Sequence, residues 1–313
     1  MRIGLVVDSA CDLPQSFIEQ HGIVILPITL HLGDRDEIDT RDPEKTRRFY
    51  EGKWDRRSDA GSSAFATDQI KQLFLEKLVI DFDFVFCLTI ASSRSPMFDN
   101  AVKASFAILN DYKPFRAKAG VNGPFALRVI DCQNLFAAQG LMAVEAVRMI
   151  EQGENPIRIR ERLEALTQNI HGYMLPQDLY YLRARAKKKG DRSVGWMGAM
   201  LGTALDIKPL IRGYRNETGP VAKLRHFHRG AERLFDYVTT RIAHGLLAPT
   251  LVISYGGQLD EMRSLPGYER MVAICKQHGI ERVESMLSMT GGINVGPGAL
   301  TLAFADEAHD LPF

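Results

Sequence analysis

Two serine-rich segments have the composition of an anion-binding site. Ser62 and Ser63 lie in a GSSA segment, Ser92 and Ser95 lie in an SSRSP segment, and both segments are predicted to be loops. A helix is predicted after each segment, and hydroxyls together with free backbone N–H groups at a helix start can hold an anion with the help of the helix dipole. Serines in this position also commonly act as helix N-caps. The two segments therefore indicate either an anion site or two ordinary helix starts.

Two other polar segments follow predicted strands. Asp8-Ser9 comes directly after the first apolar run of the chain, and a DCQN segment runs from Asp131 to Asn134. In a parallel α/β sheet, ligands bind at the carboxyl ends of the strands. Both segments are therefore candidates for the same ligand site as the serines.

No catalytic or metal-binding motif accompanies these residues. None of the serines lies in a G-x-S-x-G segment, and the sequence places no base beside them. The four cysteines lack C-x-x-C spacing, the eight histidines lack the spacing of metal ligands, and no Walker A or G-x-G-x-x-G segment occurs. We therefore predict no catalytic residue, no bound metal and no cofactor.

The most basic part of the chain is an RARAKKKGDR segment from Arg183 to Arg192, and a second basic stretch runs from Arg212 to Arg233. The first is typical of a solvated helix end, where cations suit the negative pole of the helix dipole. A phosphate site or a surface that docks a partner are the alternatives. Few aromatic residues accompany either stretch, so binding of single-stranded nucleic acid is not favoured.

Hydrophobic patterning predicts strands that alternate with helices in the first half of the chain, which indicates right-handed βαβ units and a parallel sheet. Later elements include a hairpin whose turn lies at residues 216–219 and a glycine-rich loop at 291–298. We expect a domain boundary near residue 165, which gives domains 1–165 and 166–313. Strands are predicted over residues 2–7, 23–32, 82–90, 127–131, 207–211, 221–224, 250–255, 283–289 and 300–304. Helices are predicted over residues 13–20, 43–50, 66–78, about 97–110, 137–151, 157–169, 178–189, 193–204, 227–244 and 259–279.

Composition and charge narrow the class of protein. The 313 residues include 39 Lys and Arg against 38 Asp and Glu, a net charge of +1 that creates no global field for nucleic acid or an anionic membrane. The most apolar stretches, 22–32 and 78–91, are interrupted by Pro27 and by Asp81 and Asp83, and both are shorter than the ~20 residues of a membrane span. The first residues lack the apolar core of a signal peptide. We predict a cytoplasmic protein.

Several segments together resemble the DegV family. The likeness extends over nearly the whole chain, and the order and spacing of the segments carry it. The segments are VDSACDLP at 7–14 (family VDSxxDLP), SSAF at 62–65 (TSQP), IASSRS at 90–95 followed by NA at 100–101 (ISSGLSGTxxSA), VID at 129–131 (VIDS), DLYYL at 178–182 (DLxYL), IKP at 207–209 (IKP) and VGPG at 295–298 (the end of HxGPG).

The resemblance implies a protein of two α/β domains, an N-terminal parallel sheet flanked by helices and a C-terminal mixed α/β domain. It implies a non-catalytic carrier that binds one long-chain fatty acid in a tunnel between the domains, with the fatty acid as ligand and no cofactor. Some members of the family present the acyl carboxylate to a separate fatty acid kinase, so the resemblance adds a kinase subunit as a partner.

The resemblance also implies which residues bind the carboxylate. Ser62, which stands where the family has threonine, and Ser95 match the family's hydroxyl positions, and Ser63 and Ser92 are further candidates. Asn294 replaces the histidine before the GPG turn and can donate a hydrogen bond without carrying charge. The family's short GGR is replaced by the longer basic segment, in which Arg192 is the best equivalent of the arginine.

Two other functions remain open from the sequence. One is an enzyme that acts on a phosphorylated or acyl small molecule through the same anion-binding segments. The other is an interaction module that docks a partner through the basic residues between Arg183 and Arg233.

Overall fold

The computed structural model of the protein describes residues 1–52, 60–182 and 206–313. These residues form three β-sheets with helices packed around them. The strands are β1 (Ile3–Asp8), β2 (Val24–Leu26), β3 (Ile28–Leu32), β4 (Arg35–Asp39), β5 (Ala60–Ala64), β6 (Phe84–Thr89), β7 (Ala126–Asp131), β8 (Ile170–Leu175), β9 (Ile207–Tyr214), β10 (Glu217–Arg225), β11 (Thr250–Tyr255), β12 (Glu281–Met286) and β13 (Leu300–Ala305).

Most of the described helices match the predicted segments to within a few residues. The predicted helix at 193–204 and most of the one at 178–189 lie outside the described residues. A π-helical turn, Phe74–Leu78, lies between α3 and α4. The helices are α1 (Gln15–Gln20), α2 (Pro43–Glu51), α3 (Thr67–Leu73), α4 (Val79–Asp81), α5 (Met97–Ala107), α6 (Tyr112–Lys118), α7 (Ala137–Glu151), α8 (Pro156–Thr167), α9 (Phe227–His244), α10 (Leu259–Arg263), α11 (Tyr268–Gln277) and α12 (Met289–Val295).

The first sheet is parallel, in the order β2-β1-β6-β7, and helices cover both of its faces. Side chains alternate between the two faces along each strand. Val6 and Cys87 pack with α3 and α5 in one apolar cluster. Val7 and Leu88 pack with α1, α7 and α8 in another. Burial on both faces explains why the central strands β1 and β6 are almost unbroken apolar runs.

A small antiparallel sheet, β4-β3-β5, lies beside the parallel one. The prediction of one strand over residues 23–32 was wrong, because β2 pairs with β1 in the parallel sheet while β3 pairs with β4 and β5. Pro27 separates the two strands, since it has no N–H to donate to a ladder. The segment that contains Ser62 and Ser63 is strand β5, which corrects the prediction of a loop there.

The C-terminal sheet is mixed, in the order β10-β9-β8-β13-β11-β12, with β11 and β12 as its parallel pair. Helices α9 and α11 pack with one face in a third apolar cluster. Helix α7 packs against the other face and also against the parallel sheet, so one helix is shared by both sheets. Its sequence is rich in small residues. A Cβ atom built on Gly140 would lie 2.4 Å from the Asp12 carbonyl oxygen, so only glycine fits at this position.

The fold is therefore α/β, with a helix-flanked parallel sheet and a separate mixed sheet, as predicted. The predicted boundary between residues 165 and 166 falls in the last turn of α8. All four cysteines, Cys11, Cys87, Cys132 and Cys275, are buried as free thiols. Within the described residues, no helix combines the length and the apolar character that crossing a bilayer requires.

Candidate functional site

Ser62 lies on the inner face of the small antiparallel sheet. It is directly opposite Leu30, a fully buried residue of the first apolar cluster, so its side chain shares that face. Ser62 is half-buried, and its hydroxyl has no hydrogen-bond partner among the residues that the structure describes. A hydroxyl that is half-buried against apolar side chains and still free to bond is suited to hold the polar end of an apolar ligand.

Ser95 lies in the polar loop between β6 and α5. Its hydroxyl accepts a hydrogen bond from the Met97 amide at 3.3 Å, which leaves its own O–H free to donate. Helix α5, which follows this loop, is tied to the residue after β5, because the Asn100 side-chain amide donates to the Phe65 carbonyl at 2.8 Å. The segments of Ser62 and Ser95, thirty-three positions apart in the chain, are thus neighbours in the fold.

Asn294 lies on helix α12, which packs against β5 and α2. The prediction of a glycine-rich loop at residues 291–298 was wrong for its first half, because α12 continues to Val295. The helix approaches α2 so closely that a Cβ at Gly292 would lie 2.5 Å from the Tyr50 hydroxyl. The Asn294 amide donates to the Thr290 carbonyl at 2.7 Å. Asn294 therefore lies on an element that contacts the strand of Ser62.

Two buried carboxylates from the N-terminal half of the chain cap helix α12. Asp12 accepts from the Ser288 amide at 2.9 Å, and Asp39 accepts from both the amide and the hydroxyl of Thr290. These bonds satisfy amides that a helix N-terminus otherwise leaves without a partner. Burial raises the pKa of Asp12 to about 6, although the nearby Arg41 guanidinium and the Ser254 hydroxyl oppose the shift. These carboxylates fix the position of the helix that carries Asn294.

Arg41 is the cation of this buried group. Its guanidinium donates to the Leu13 carbonyl at 2.9 Å and the Met286 carbonyl at 3.1 Å, and it lies 3.6 Å from the Asp12 carboxylate. Only 6% of Arg41 is exposed, so the charge is largely withdrawn from water and needs these partners. The sequence analysis did not single out Asp39 or Arg41, because no motif links them to Asp12.

Ser63 projects from the opposite face of β5 to Ser62. It is exposed, and its hydroxyl lies 2.9 Å from the Nε2 atom of His31. The Nδ1 atom of the same ring lies 2.7 Å from the Asp36 carboxylate. The structure therefore does not bring Ser63 together with Ser62, and it places Ser63 in a separate polar group that the sequence analysis missed.

Ser92 is engaged with the β9–β10 hairpin. Its hydroxyl accepts from the side-chain amide of Asn216 at 3.0 Å, and the same amide lies 3.3 Å from the Asp131 carboxylate. The neighbouring Ser93 hydroxyl donates to the Asn216 carbonyl at 2.8 Å. This loop therefore uses Ser92 and Ser93 to hold the hairpin of the C-terminal sheet.

The other two candidate segments also have structural partners. The Asp8 carboxylate accepts from the Ile90 amide at 2.6 Å and the Ala10 amide at 3.1 Å, and burial raises its pKa to about 7 against the effect of those bonds. The buried Asn134 side chain donates to the carbonyls of Ile170 and Gly213. Asp8 thus joins neighbouring strands of the parallel sheet, and Asn134 joins the two halves of the chain.

The first apolar cluster includes Leu30, which lies opposite Ser62, and Met97, two residues after Ser95, and it has members from both halves of the chain. The first apolar cluster contains residues from the parallel sheet, the small sheet, α3 and α5, and it also contains residues of the C-terminal half. The C-terminal members are Met174, Ile211, Leu287, Met289, Ile293, Val295 and Ala299. Leu182, the last described residue before the gap at 183–205, packs against this cluster. Ser62 and Ser95 therefore lie beside residues of a cluster to which both halves of the chain contribute.

Arg192 and the rest of the basic segment from Arg183 lie outside the described residues. In the second basic stretch, the guanidinium groups of Arg212 and Arg215 lie over the Tyr214 ring, at 5.0 and 4.7 Å from its centroid. The parts of the chain that the structure describes contain no cluster of three or more metal-ligating side chains.

Comparison with known proteins gives consistent results along the whole chain. A family model described as "Uncharacterised protein, DegV family" matches residues 2–307. A DegV domain-containing protein of Xanthomonas axonopodis pv. citri is 56% identical over 99% of this chain and 99% of its own length. A second one, from Xanthomonas campestris pv. campestris, is 55% identical over the same shares.

Solved structures share the fold at low sequence identity. A stearic-acid-binding protein of Eubacterium ventriosum has a TM-score of 0.76 at 20% identity and covers 97% of this chain and 98% of its own. A DegV lipid-binding protein of Thermotoga maritima has a TM-score of 0.75 at 20% identity, with 99% and 100% covered. DegV of Bacillus subtilis, a fatty-acid-binding protein, has a TM-score of 0.74 at 19% identity, with 98% and 100% covered.

Proposed function

This chain belongs to the DegV family, and on that premise we propose that it binds one long-chain fatty acid, with the carboxylate at Ser62 and Ser95. The acyl tail lies in a tunnel between an N-terminal domain, residues 1–165, and a C-terminal domain, residues 166–313. At this site the protein is a carrier that breaks no bond of the fatty acid, and it acts in the cytoplasm. Its partner is a fatty acid kinase subunit that receives the carboxylate.

The observation that carries this proposal is the free, half-buried hydroxyl of Ser62 on the apolar inner face of β5, whose end is tied to the helix that follows Ser95. The ligands of related structures support it, since proteins of the same fold bind stearic acid and heptadecanoic acid. Among the other candidates, Ser63 faces away and Ser92 is engaged with Asn216, so the head-group role falls first to Ser62 and Ser95. Asn294 and Arg192 remain secondary ligands of the proposed site.

The energetics of such a site are compatible with uncharged hydrogen-bond donors as the ligands of the carboxylate. Burial of each CH₂ group contributes about 0.8 kcal/mol, so a C16 tail supplies on the order of 10 kcal/mol before ordering costs. The hydrogen bonds that the carboxylate makes with water must then be replaced by bonds to the protein, because an unpaired buried charge is costly. Hydroxyl donors satisfy that need without a general base, since a carrier breaks no bond.

The identity of a bound molecule tests this function. Organic extraction of the purified protein, followed by mass spectrometry, is expected to release a fatty acid in near one-to-one ratio to the protein. Delipidated protein is expected to take up palmitate or oleate with the same stoichiometry. Hexadecanol, which has the same chain and no carboxylate, serves as the head-group control and is expected to bind more weakly. Protein that is empty as purified and takes up neither acid contradicts the proposal.

A further inference from the structure

Ser63, His31 and Asp36 form a hydrogen-bonded series on the outer face of the small antiparallel sheet. The Ser63 hydroxyl lies 2.9 Å from His31 Nε2, and His31 Nδ1 lies 2.7 Å from Asp36 Oδ1. Each residue comes from a different strand: His31 from β3, Asp36 from β4 and Ser63 from β5. The register places Asp36 directly opposite His31, and Ser63 opposite Thr29, two residues from His31 on the same face.

The chemistry of the partners fixes the direction of both hydrogen bonds. A carboxylate can only accept, so the proton of a neutral His31 ring lies on Nδ1 and is donated to Asp36. Nε2 is then an acceptor, and the Ser63 O–H donates to it. This is the arrangement in which a base can remove the proton of a serine hydroxyl while a third group orients the base.

We propose that Ser63 is a nucleophilic serine that takes up the acyl group of small activated esters. Its Oγ attacks the ester carbonyl and forms a C–O bond while its proton passes to His31 Nε2. The ester C–O bond breaks, and the leaving alcohol takes the proton from His31. Water, deprotonated by His31, then hydrolyses the acyl-serine and restores the hydroxyl.

The surface around Ser63 sets the substrate class and the rate. On the outer face Thr29 lies opposite Ser63, and the exposed Ile38 lies opposite Thr29 on the next strand, which suits a short acyl or aryl group rather than a long chain. The side chains of His31 and Asp36 are 41% and 64% exposed, so water competes for their bonds. General base catalysis contributes about 10²–10⁴-fold, and we expect a value near the lower end for a base this exposed.

This site is independent of the proposed fatty acid site, because Ser62 and Ser63 project from opposite faces of β5. The two inferences therefore fail separately. Loss of serine reactivity leaves the fatty acid proposal untouched, and a protein without bound lipid still reacts at Ser63.

The test is covalent labelling of the full-length protein with a fluorophosphonate, with the site found by peptide mass spectrometry. The phosphorus–Oγ bond forms as fluoride leaves, and the expected result is a single label on Ser63. His31→Gln is expected to slow the labelling of Ser63 by tenfold or more, and Asp36→Asn by a smaller factor. Ser63→Ala is expected to abolish both the label and the release of p-nitrophenol from p-nitrophenyl acetate. Ser264→Ala, which removes another exposed serine, is expected to leave both reactions at the wild-type rate.

Either of two labelling results contradicts the proposal. A label that is absent from Ser63, or that forms on Ser63 at the same rate in His31→Gln, shows that the ring does not activate the hydroxyl. Circular dichroism of each variant confirms that the sheet is intact. The variants change surface side chains, so we expect their folds to be retained.

Discussion

The Asp39 carboxylate accepts two hydrogen bonds from Thr290, one from its amide at 3.0 Å and one from its hydroxyl at 2.8 Å. The two residues are 251 positions apart in the chain, and both are buried. Asp39 ends β4 of the small sheet, and Thr290 lies in the first turn of α12. The pair therefore connects the strand system of Ser62 to the helix that carries Asn294.

Replacement of Asp39 is expected to destabilise the protein. Asp39→Ala leaves the amide and the hydroxyl of Thr290 without an acceptor, and we expect a loss of about 2–3 kcal/mol in the free energy of unfolding. Thr290→Val removes only the hydroxyl bond and is expected to cost about 1 kcal/mol. Urea denaturation measures both. Glu37→Ala, on the same strand, is the control and is expected to change stability by less than about 0.5 kcal/mol; an equal loss in this variant contradicts the assigned role.

The contact between Asn134 and the β9–β10 hairpin makes a second prediction about stability. A Cβ at Gly213 would overlap the Asn134 side-chain oxygen, whereas a Cβ at Gly219, on the other strand of the hairpin, would meet no atom within 4 Å. Gly213→Ala is expected to cost about 1–3 kcal/mol through overpacking. Gly219→Ala is expected to change stability by less than about 0.5 kcal/mol. Thermal denaturation of the two variants side by side is the measurement, and equal melting temperatures contradict it.

The buried Asp8 is expected to make stability depend on pH. Burial raises its pKa to about 7 in the folded state from 3.8, so the folded state holds a proton that the unfolded state releases. Its stabilising contribution is complete below pH 4 and is lost as pH rises through 7, a fall of about 2–3 kcal/mol between pH 5 and 8. Asp8→Asn, which cannot titrate, is expected to remove this part of the fall in urea unfolding measured at both pH values, and to leave the smaller fall of about 1–1.5 kcal/mol that the raised pKa of Asp12 causes.

Asp83 supplies the control for that experiment. Hydrogen bonds from Arg2 and Arg116 hold the pKa of Asp83 well below its usual range. The stabilisation it provides is present above pH 4 and is lost only as pH falls further. Asp83→Asn is therefore expected to leave the change between pH 5 and 8 as it is in the wild type. A fall in Asp8→Asn that is as large as in the wild type contradicts the role of Asp8.

The two faces of β5 make a prediction about ligand affinity. Ser62→Ala and Ser95→Ala each remove a hydroxyl from the proposed carboxylate site, and a hydrogen bond to a charged group contributes about 1.5–3 kcal/mol. We expect each variant to weaken palmitate binding about tenfold or more in calorimetric titration. Ser63→Ala, which changes the adjacent residue on the outer face, is expected to keep the wild-type affinity. A tenfold loss in Ser63→Ala together with none in Ser62→Ala reverses the assignment of the faces.

Much of the fold follows from patterns that the sequence displays directly. Helix α7 spans the predicted residues 137–151 and β11 the predicted residues 250–255, because each is a mostly apolar run between polar or turn-forming residues. Residues 23–32 look like one strand, because local propensity does not reveal that Pro27 passes the chain from one sheet to another. The glycines at 291 and 292 indicate a loop by composition, but the distant carboxylates of Asp12 and Asp39 stabilise a helix there.

The candidate site, like the fold, has features that the local sequence indicates and features that depend on residues far apart in the chain. The serines could be selected from hydroxyl chemistry and position, but the face of each side chain depends on the register of β5 against β3. The pairing of His31 with Asp36 had a usable signal, since Gly33-Asp34 is a typical two-residue hairpin turn and places these residues opposite each other. No local signal in the sequence indicates that Ser63 approaches the His31 ring. That contact depends on strand β5, which begins twenty-nine residues after His31.

The positions of the four thiols allow local opening of the protein interior to be measured at the native cysteines. Each of the three apolar clusters contains at least one of them: Cys87 in the first, Cys11 and Cys132 in the second, and Cys275 in the third. Burial raises the pKa of all four, so they stay unreactive while the clusters are closed. The rate at which each cysteine reacts with an alkylating reagent therefore records how often its own compartment admits solvent, without any engineered probe.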